Sequence, residues 1–522
     1  VNKDNGIAYS VSINTGAGDD SININNGAVD SGDAVTLVGG DDNDTLTITG
    51  TNNFSGSADF VGIETVLIRS DVTFTLDQIA AVGGNIAVHP DQFTEGVVTG
   101  SHAITIAKTA DDTATDIQLT NLKGVTAVEV GAGVSVEISD AAASELATSA
   151  DTDGGISFED ATASVVVSQA AKTTLEAAVT VKVAGAETAL PYVIKDTAAN
   201  IKASLDTTPT YVSGSSGNIT VTNDTSASSA ANLKAVLDKV AAASKAADAT
   251  AITSLSGTYA DVAAVVDHEA GSVATLADDF SVSLTAGAVA NAGELSLVNK
   301  ALGATTGAVT GTISGAAATL ASLSTTATNG LTISVTDATA APVNASDLKA
   351  IGIATSGTAT VANKVAISGN IADVTAALVT PASKVVLGTA DTPVTVADAV
   401  TAAEGAAIAM VTNAAASFAT GVVDALGNLS SGGTINSNLT AIKNDQSDVA
   451  IAINDADNFS AAAADMKVVG SATTGTVTVT NQAAISGNIA DVTDALITAG
   501  SKVVLSKAST ATVADVVTVK QG

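Results

Sequence analysis

A ten-residue segment, Ala-Ile-Ser-Gly-Asn-Ile-Ala-Asp-Val-Thr, occurs twice in this chain without a change, at residues 366–375 and again at 484–493. The two copies lie 118 residues apart, and a flanking segment, Ser-Lys-Val-Val-Leu, is also repeated, at 383–387 and 501–505. Identity over this length indicates a duplicated structural unit. A fixed period of this kind is the sequence signature of architectures built by stacking repeats.

Weaker copies of the motif fill the interval between the two identical ones. The Ser-Gly pair inside the motif recurs at residues 256, 314 and 431, and Asp196 holds the equivalent place further upstream. Successive unit starts are about 58 residues apart, so the 118-residue offset spans two units. We therefore predict about six tandem repeats of this length over residues 186–522.

The hydrophobic period changes within each unit from that of a strand to that of a helix. Residues 476–480 alternate as a strand does, whereas residues 488–496 space their apolar side chains by three and four. Ser486 is placed as the N-cap of this helix, and Gly500 precedes the next strand pattern. Each unit is predicted to run strand, short helix, strand, short helix, because helical crossovers commonly connect parallel strands.

Neighbouring units are expected to stack, because a single unit cannot bury both faces of its strands. The predicted inward-facing residues of the first identical copy are Ile367, Ile371, Val374 and Leu378, and those of the second are Ile485, Ile489, Val492 and Leu496. A string of independent small domains joined by linkers is the alternative architecture.

Composition and charge exclude several classes of protein. Hydrophobic residues make up 46% of the chain but aromatic residues only 2%, so a core has to be built from Ala, Val, Ile and Leu. The net charge of −33 opposes binding to nucleic acid or to anionic lipid, and it favours divalent cations. The absence of Cys excludes disulfides and thiol chemistry. No apolar stretch is long enough to span a membrane.

The N-terminal segment, from Val1 to Leu67, places Gly, Asn and Asp between short β-branched segments. Residues 15–23 and 39–47 follow the nonapeptide G-G-x-G-x-D-x-U-x, except that Thr15 replaces the first Gly and Asp42 replaces the third. This pattern resembles the calcium-binding β-roll of the RTX, or repeats-in-toxin, family. Glycines allow the tight turn, and the Asp carboxylate is a hard oxygen ligand that suits Ca²⁺.

The resemblance implies a calcium ion between two stacked turns. Asp20 and Asp44 would be its side-chain ligands, and backbone carbonyl oxygens would come from Gly16, Gly18, Gly40 and Asp42. Stacked turns of an uninterrupted array are about eighteen residues apart, whereas Asp20 and Asp44 are 24 apart. We therefore expect a bulge near residues 26–32. The alternative is a pair of Asp-rich β-turns with no metal.

Residues 58–68 resemble the F-x-G-I-E-x-L segment that follows RTX repeats in secreted surface proteins. Phe60 and Ile63 are expected in the core, with Val66 and Ile68 in a strand. Similar patterns at 122–130 and 134–138 predict more β structure with few helices up to residue 185. The strongest helix pattern lies at 231–240, where Leu233, Val236, Leu237 and Val240 share one face.

Sequence motifs of catalysis are missing, and we predict that the chain is not an enzyme. His89, His102 and His268 lack the H-E-x-x-H spacing and are expected to be exposed loop or cap residues. The chain contains no G-x-S-x-G elbow, P-loop or dinucleotide fingerprint. With no Trp and four Tyr, it offers few aromatic platforms for sugars.

The repeats carry a second resemblance. Residues 193–205 and 394–400 are similar to repeats of very large cell-surface proteins of marine cyanobacteria and other Gram-negative bacteria, including surface-layer and swimming-motility proteins. The resemblance implies an extracellular structural protein, secreted by a type I route, that binds copies of itself to form a calcium-stabilised surface layer or filament. An RTX-type adhesin that binds cell-surface polysaccharide and a β-helix polysaccharide-degrading enzyme are the alternatives.

Taken together, the patterns predict a mainly β chain with short helices, arranged as a repetitive solenoid. Residues 1–70 would form a parallel β-roll or β-helix that binds calcium, and residues 71–185 a further β-solenoid. Residues 186–522 would form the tandem strand–helix repeats.

Overall fold

The computed structural model describes residues 10–25, 29–94, 97–110, 112–114, 117–149, 155–326, 329–389, 391–498 and 500–516. These residues form short, mostly parallel strands and short helices, which confirms the prediction of a mainly β chain with strand–helix alternation. The chain forms two compact units. The first contains Val1–Ser254 and Asp267–Ala277, and the second contains Leu255–Val266 and Asp278–Gly522.

Parallel sheets dominate the described part of the first unit. One sheet contains Ser10–Ala17, Ala34–Asp41 and Ser57–Val61, and a second contains Ser21–Asn25, Thr45–Thr49, Thr65–Ile68 and Ile86–Val88. A third contains Asn52–Asn53, Val72–Thr75, Ala103–Ala107, Ala127–Val130, Gly155–Phe158, Thr180–Val183 and the antiparallel Ala186–Glu187. A fourth contains Ile117–Leu119, Ser135–Ile138, Ser164–Val167, Tyr192–Thr197, Ile219–Thr222, Ala247–Ala249 and Ala274–Leu276.

Helices and small strands connect these sheets. The helices are Leu76–Ala81, Pro90–Gln92 (a 3-10 turn), Asp140–Ser149, Gln169–Ala178, Ala198–Thr207, Tyr211–Gly214 and Ala230–Ala242. The small strands are the antiparallel pair Phe93–Thr94 and Val97–Val98 and the strand Ser228–Ser229. Strand Ser254–Gly257 and helix Tyr259–Ala270 each contain one boundary between the two units, and a third boundary follows Ala277.

The second unit repeats the same kind of parallel sheet. Its longest sheet contains Ser281–Val289, Val309–Gly315, Thr332–Val335, Ala359–Val361 and Val385–Leu387, and another contains Pro342–Asn344, Ala366–Gly369, Val394–Val396 and Ala416–Phe418. A third sheet contains Val422–Asp424, Ile451–Ile453, Val477–Val479 and Val503–Leu505. A fourth contains Phe459–Ala462, Ala483–Gly487 and Thr510–Val513. Ser430–Ser431 and Thr434–Ile435 form a small antiparallel pair.

The helices of the second unit lie between these strands in the chain. They are Ala292–Gly303, Ala317–Leu320, Ala345–Ala354, Ile371–Val374 with a π-helical turn Thr375–Val379, Ala402–Ala409, Leu426–Leu429, Ser437–Asp445, Ala463–Ala472 and Ile489–Leu496. None of the described helices in either unit combines the length and the apolar character needed to cross a bilayer.

Strand pairing defines a repeating element that we call a rung: one strand together with the chain that leads to its parallel neighbour. Val477, for example, pairs with Val503 in the next rung. Rung length in the second unit varies, from the short rung that joins Thr312 to Thr332 to the long rung that joins Val422 to Ile451. Two successive rungs, from Val422 through Ile451 to Val477, span 55 residues, which is less than the predicted repeat. The rung that begins at Ile451 contains two strands, Ile451–Ile453 and Phe459–Ala462, followed by one helix, Ala463–Ala472, so the predicted order of strand, helix, strand, helix is not seen there.

Side-chain alternation places the apolar residues of successive rungs in columns. Leu46 pairs with Val66 and Ile48 pairs with Ile68, and all four side chains are buried, as expected for alternate residues of a strand. Phe60 is buried in a cluster with Phe54 and Phe74, whose ring centroids lie 5.4 to 6.2 Å apart. Ile63 is also buried. The core positions predicted for residues 60–68 are confirmed.

The strongest predicted helix is also confirmed. Helix Ala230–Ala242 buries Leu233, Val236, Leu237 and Val240, which are the four residues of the apolar stripe. Ser229 caps the helix by accepting a hydrogen bond from the backbone N–H of Asn232. The buried stripe is a local feature, and the 3.6-residue period is sufficient to predict it.

The two identical segments adopt matching structures. Lys349 Nζ lies 2.8 Å from Asp373 Oδ1, and Lys467 Nζ lies 3.0 Å from Asp491 Oδ1 at the equivalent place. The predicted N-cap is wrong, because Ser486 belongs to strand Ala483–Gly487. Asn488 caps the helix through its side-chain oxygen, which accepts from the backbone N–H of Asp491, and Asn370 does the same in the first copy.

The predicted inward face of this helix needs a correction. Ile367 and Val374 are buried, but Ile371 and Leu378 are half-buried, and Ala377 is the second buried position of the helical segment. Ile371 is the first helical residue, directly after the N-cap Asn370, and it is half-buried at this end of the helix. The second copy shows the same pattern: Ile485, Val492 and Ala495 are buried, whereas Ile489 and Leu496 are half-buried.

A Thr-x-Gly segment before two equivalent strands holds each rung against the preceding one. The hydroxyl of Thr355 donates to the carbonyl of Leu331 at 2.6 Å and accepts from the N–H of Gly357 at 2.9 Å. Thr473 makes the equivalent contacts with Val449 and Gly475. The same inter-rung contacts are therefore present upstream of both copies of the motif.

Candidate metal centre in the N-terminal turns

The residues predicted to bind calcium lie in two turns, one stacked directly on the other. Gly16 pairs with Gly40 on one side of the turn, and Ser21 pairs with Thr45 on the other. The backbone N–H of Thr45 donates to the carbonyl of Asp20 at 2.9 Å. The sequence prediction that these turns are neighbours is confirmed by this pairing.

The rung that joins the two turns has the length that the spacing of Asp20 and Asp44 requires. Both strand pairs keep the same offset of 24 residues, and neither pairing shows a register shift. Residues 26–28, inside the segment predicted to bulge, lie outside the described residues.

Both turns use backbone conformations that favour glycine. Gly16 and Gly40 have φ of +102° and +124°, and Gly18 has φ of +109°. Asp42 is the equivalent of Gly18 and has φ of +84°, a region that Asp tolerates better than most residues. A Cβ atom at Gly40 would overlap the carbonyl oxygen of Gly16, so the close stacking of the turns requires glycine there.

Acidic side chains connect three successive turns. Oδ1 of Asp44 accepts a hydrogen bond from the backbone N–H of Asp20 at 2.8 Å. Oε2 of Glu64 in turn accepts from the backbone N–H of Asp44 at 2.7 Å. Glu64 was missed as a site residue, although it belongs to the F-x-G-I-E segment and follows Asp44 by one short rung.

Each of the two predicted carboxylate ligands has one oxygen without a hydrogen-bond partner. These atoms are Asp20 Oδ2 and Asp44 Oδ2, and both are buried. The Asp44 residue is 1% exposed. A buried carboxylate oxygen without a partner is costly, and a hard cation would satisfy it.

The carbonyl oxygen of Gly62 lies in the space beside Asp44. A Cβ atom at Gly39 would lie 2.5 Å from Asp44 Oδ2 and would overlap the carbonyl oxygen of Gly62, so both oxygens face the same small volume. The described residues contain no group of three His, Cys, Asp or Glu side chains that could hold a metal. Further ligands would therefore be carbonyl oxygens, such as those that the resemblance assigns to Gly16, Gly18, Gly40 and Asp42. Calcium binding by these oxygens is a proposal that rests on the two buried carboxylate oxygens without a partner.

The three histidines have separate local contacts. His89 caps the turn Pro90–Gln92, and its Nδ1 lies 2.8 Å from Asp91 Oδ1. Hydrogen bonds from Gln92 and His89 hold the pKa of Asp91 below its usual value, and the charge of Arg69 adds to this effect. His268 Nε2 lies 2.9 Å from Asp238 Oδ1. His102 was predicted to be exposed, which is wrong, because the residue is 2% exposed.

Compared with models of known protein families and with curated protein sequences, the chain shows no match.

Proposed function

We propose that this chain is an extracellular structural protein whose rungs form a continuous β-solenoid and which self-assembles into a surface layer or filament stabilised by calcium. The observation that carries the proposal is the parallel pairing of strands one rung apart, seen in both units. Each added rung extends a sheet and buries the apolar face of the previous rung, so the architecture favours length over a closed pocket.

The proposed organisation follows the sequence patterns. Residues 1–70 form an RTX-like calcium-binding roll, residues 71–185 a β-solenoid, and residues 186–522 about six tandem repeats. Secretion by a type I route agrees with the RTX resemblance and with the high negative charge. Chains of this charge repel one another at low ionic strength, so cations would favour their association.

Calcium is expected to stabilise the turn stack and to leave the repeats unchanged. Ligand present at about 100 times Kd stabilises a folded state by about 2.7 kcal/mol. Chelation should therefore speed amide hydrogen exchange in residues 10–70 first. Asp44→Asn should remove this calcium dependence, whereas Asp448→Asn, at an exposed turn in the second unit, should retain it. Equal exchange with and without calcium in the parent protein would rule out the site.

Assembly is tested by electron microscopy of the purified protein with calcium. We expect sheets or filaments that disperse when the cation is removed. Dispersed monomers at high protein concentration would contradict the proposal.

Substitutions at exposed strand edges test whether these edges mediate assembly. Strands Val385–Leu387 and Val503–Leu505 lie at sheet edges among the described residues, and their outward-facing Val386 and Val504 are each 51% exposed. Lysine at a sheet edge opposes strand addition. If assembly uses these edges, Val386→Lys with Val504→Lys should abolish it without unfolding the chain. Thr395→Lys, at an exposed position of an inner strand, is the matched control.

The adhesin and enzyme alternatives make different predictions. An adhesin would show saturable binding on a glycan array, and a polysaccharide-degrading enzyme would release product from bacterial or algal polysaccharide. Either result in the absence of assembly would replace the structural role.

A further inference from the structure

A recurring contact joins each of several helices to the rung that follows it. In the described part of the chain, six aspartates accept a hydrogen bond through Oδ2 from the first backbone N–H of a helix one rung earlier, at 2.7 to 3.2 Å. These aspartates are Asp196, Asp337, Asp398, Asp424, Asp455 and Asp515. The contact occurs within each of the two units.

Strand geometry explains why these aspartates point at the helices. Each one follows an apolar strand residue by two positions, as Val396 precedes Asp398 and Ile453 precedes Asp455. Residues two apart lie on the same face of a strand, so each carboxylate lies on the side of the buried strand residue, at the point where the strand ends. Asp196 and Asp424 are buried there, whereas Asp398 and Asp515 are exposed. The helix of the preceding rung begins there.

Two of these aspartates make the same three contacts in different units. Oδ1 of Asp196 accepts from the N–H of Thr197 at 2.7 Å and from Asn200 Nδ2 at 2.8 Å. Its Oδ2 accepts from the first N–H of helix Gln169–Ala178. Asp424 repeats this arrangement with Ala425, Asn428 and helix Ala402–Ala409. One carboxylate thus binds its own rung and the preceding one.

We propose that these aspartates are inter-rung latches, through which each rung completes the helix of the rung before it. The first N–H groups of a helix have no partner inside the helix, and a negative charge at that end is favourable. A hydrogen bond to a carboxylate is also stronger than a neutral one. Removing a latch therefore loosens the upstream helix, and stability is transmitted from later rungs to earlier ones.

Asp398 allows a test of whether stability is transmitted from the later rung to the earlier one. Its carboxylate accepts from the N–H of Ile371, upstream, at 3.2 Å. The downstream helix Ala402–Ala409 has its own capping box, in which Thr401 and Glu404 exchange hydrogen bonds. In Asp398→Ala, amide protection in residues 371–379 should fall by about tenfold or more. Protection in residues 402–409 should be unchanged.

The second copy and a milder variant provide independent tests. Asp515→Ala should loosen helix Ile489–Leu496, because Oδ2 of Asp515 accepts from the N–H of Ile489 at 2.7 Å. Asp398→Asn retains a hydrogen-bond acceptor, so amide protection in residues 371–379 should fall by less than in the alanine variant. This variant tests the latch even if Asp398→Ala does not fold. Asp448→Ala, at an exposed turn, should change neither helix.

The opposite results would overturn the latch. Loss of protection confined to the downstream helix, equal loss on both sides, or no loss in either variant would each show that the carboxylates do not couple the rungs in this direction. The measurement needs neither calcium nor assembly, so its outcome is separate from that of the proposed function.

Discussion

Replacing Val374 with aspartate is expected to destabilise the second unit by about 3 to 5 kcal/mol, because it places an unpaired charge in the core. The Val374 side chain is fully buried, and its Cγ2 lies close to Gly369 of the preceding strand. Water cannot reach a carboxylate at this place unless the helix leaves the sheet. Urea unfolding with amide exchange measures both the size and the location of the effect.

Ala372→Asp is the matched control for this variant. Ala372 is exposed in the first turn of the same helix, where a negative charge is tolerated or slightly favourable. The equivalent buried change in the second copy, Val492→Asp, should resemble Val374→Asp. If neighbouring rungs carry the stability, increased exchange should be concentrated in the adjacent rungs. Exchange equal to that of the parent, or increased evenly along the second unit, would contradict stabilisation by nearest neighbours.

Gly40→Ala is expected to separate the first two turns of the chain. Its φ of +124° disfavours any side chain, at a cost of about 1 to 2 kcal/mol for the conformation alone. The added Cβ would also overlap the carbonyl oxygen of Gly16 in the stacked turn, and relief of that overlap requires movement of backbone. Exchange should rise in strands Ser10–Ala17 and Ala34–Asp41, and calcium binding should be lost.

Gly18→Ala separates the cost of the backbone conformation from the cost of the steric overlap. Gly18 has a similar φ of +109°, but no neighbouring atom lies within 4 Å of the position that its Cβ would take, so the variant carries conformational strain without overlap. We expect a much smaller change in exchange than in Gly40→Ala. Equal effects would mean that the close approach of the turns contributes nothing.

The sequence by itself determined the local elements and their faces. The pattern of residues 58–68 placed Phe60 and Ile63 in the core and Val66 and Ile68 in a strand, and three–four spacing predicted the buried stripe of helix Ala230–Ala242. The nonapeptides located the turns that hold Asp20 and Asp44. These features depend on residues close together in the chain, where a period of two or 3.6 decides which side chains share a face.

The tertiary structure decided the contacts between rungs. Oδ1 of Asp44 meets the N–H of Asp20, and Asp398 reaches the helix that begins at Ile371, because strand pairing brings together residues 24 and 27 positions apart. The local pattern also predicted that Ile371 is buried and that His102 is exposed, whereas Ile371 is half-buried and His102 is buried. Burial and hydrogen-bond partners at these places depend on strand register, which no single segment of the sequence specifies.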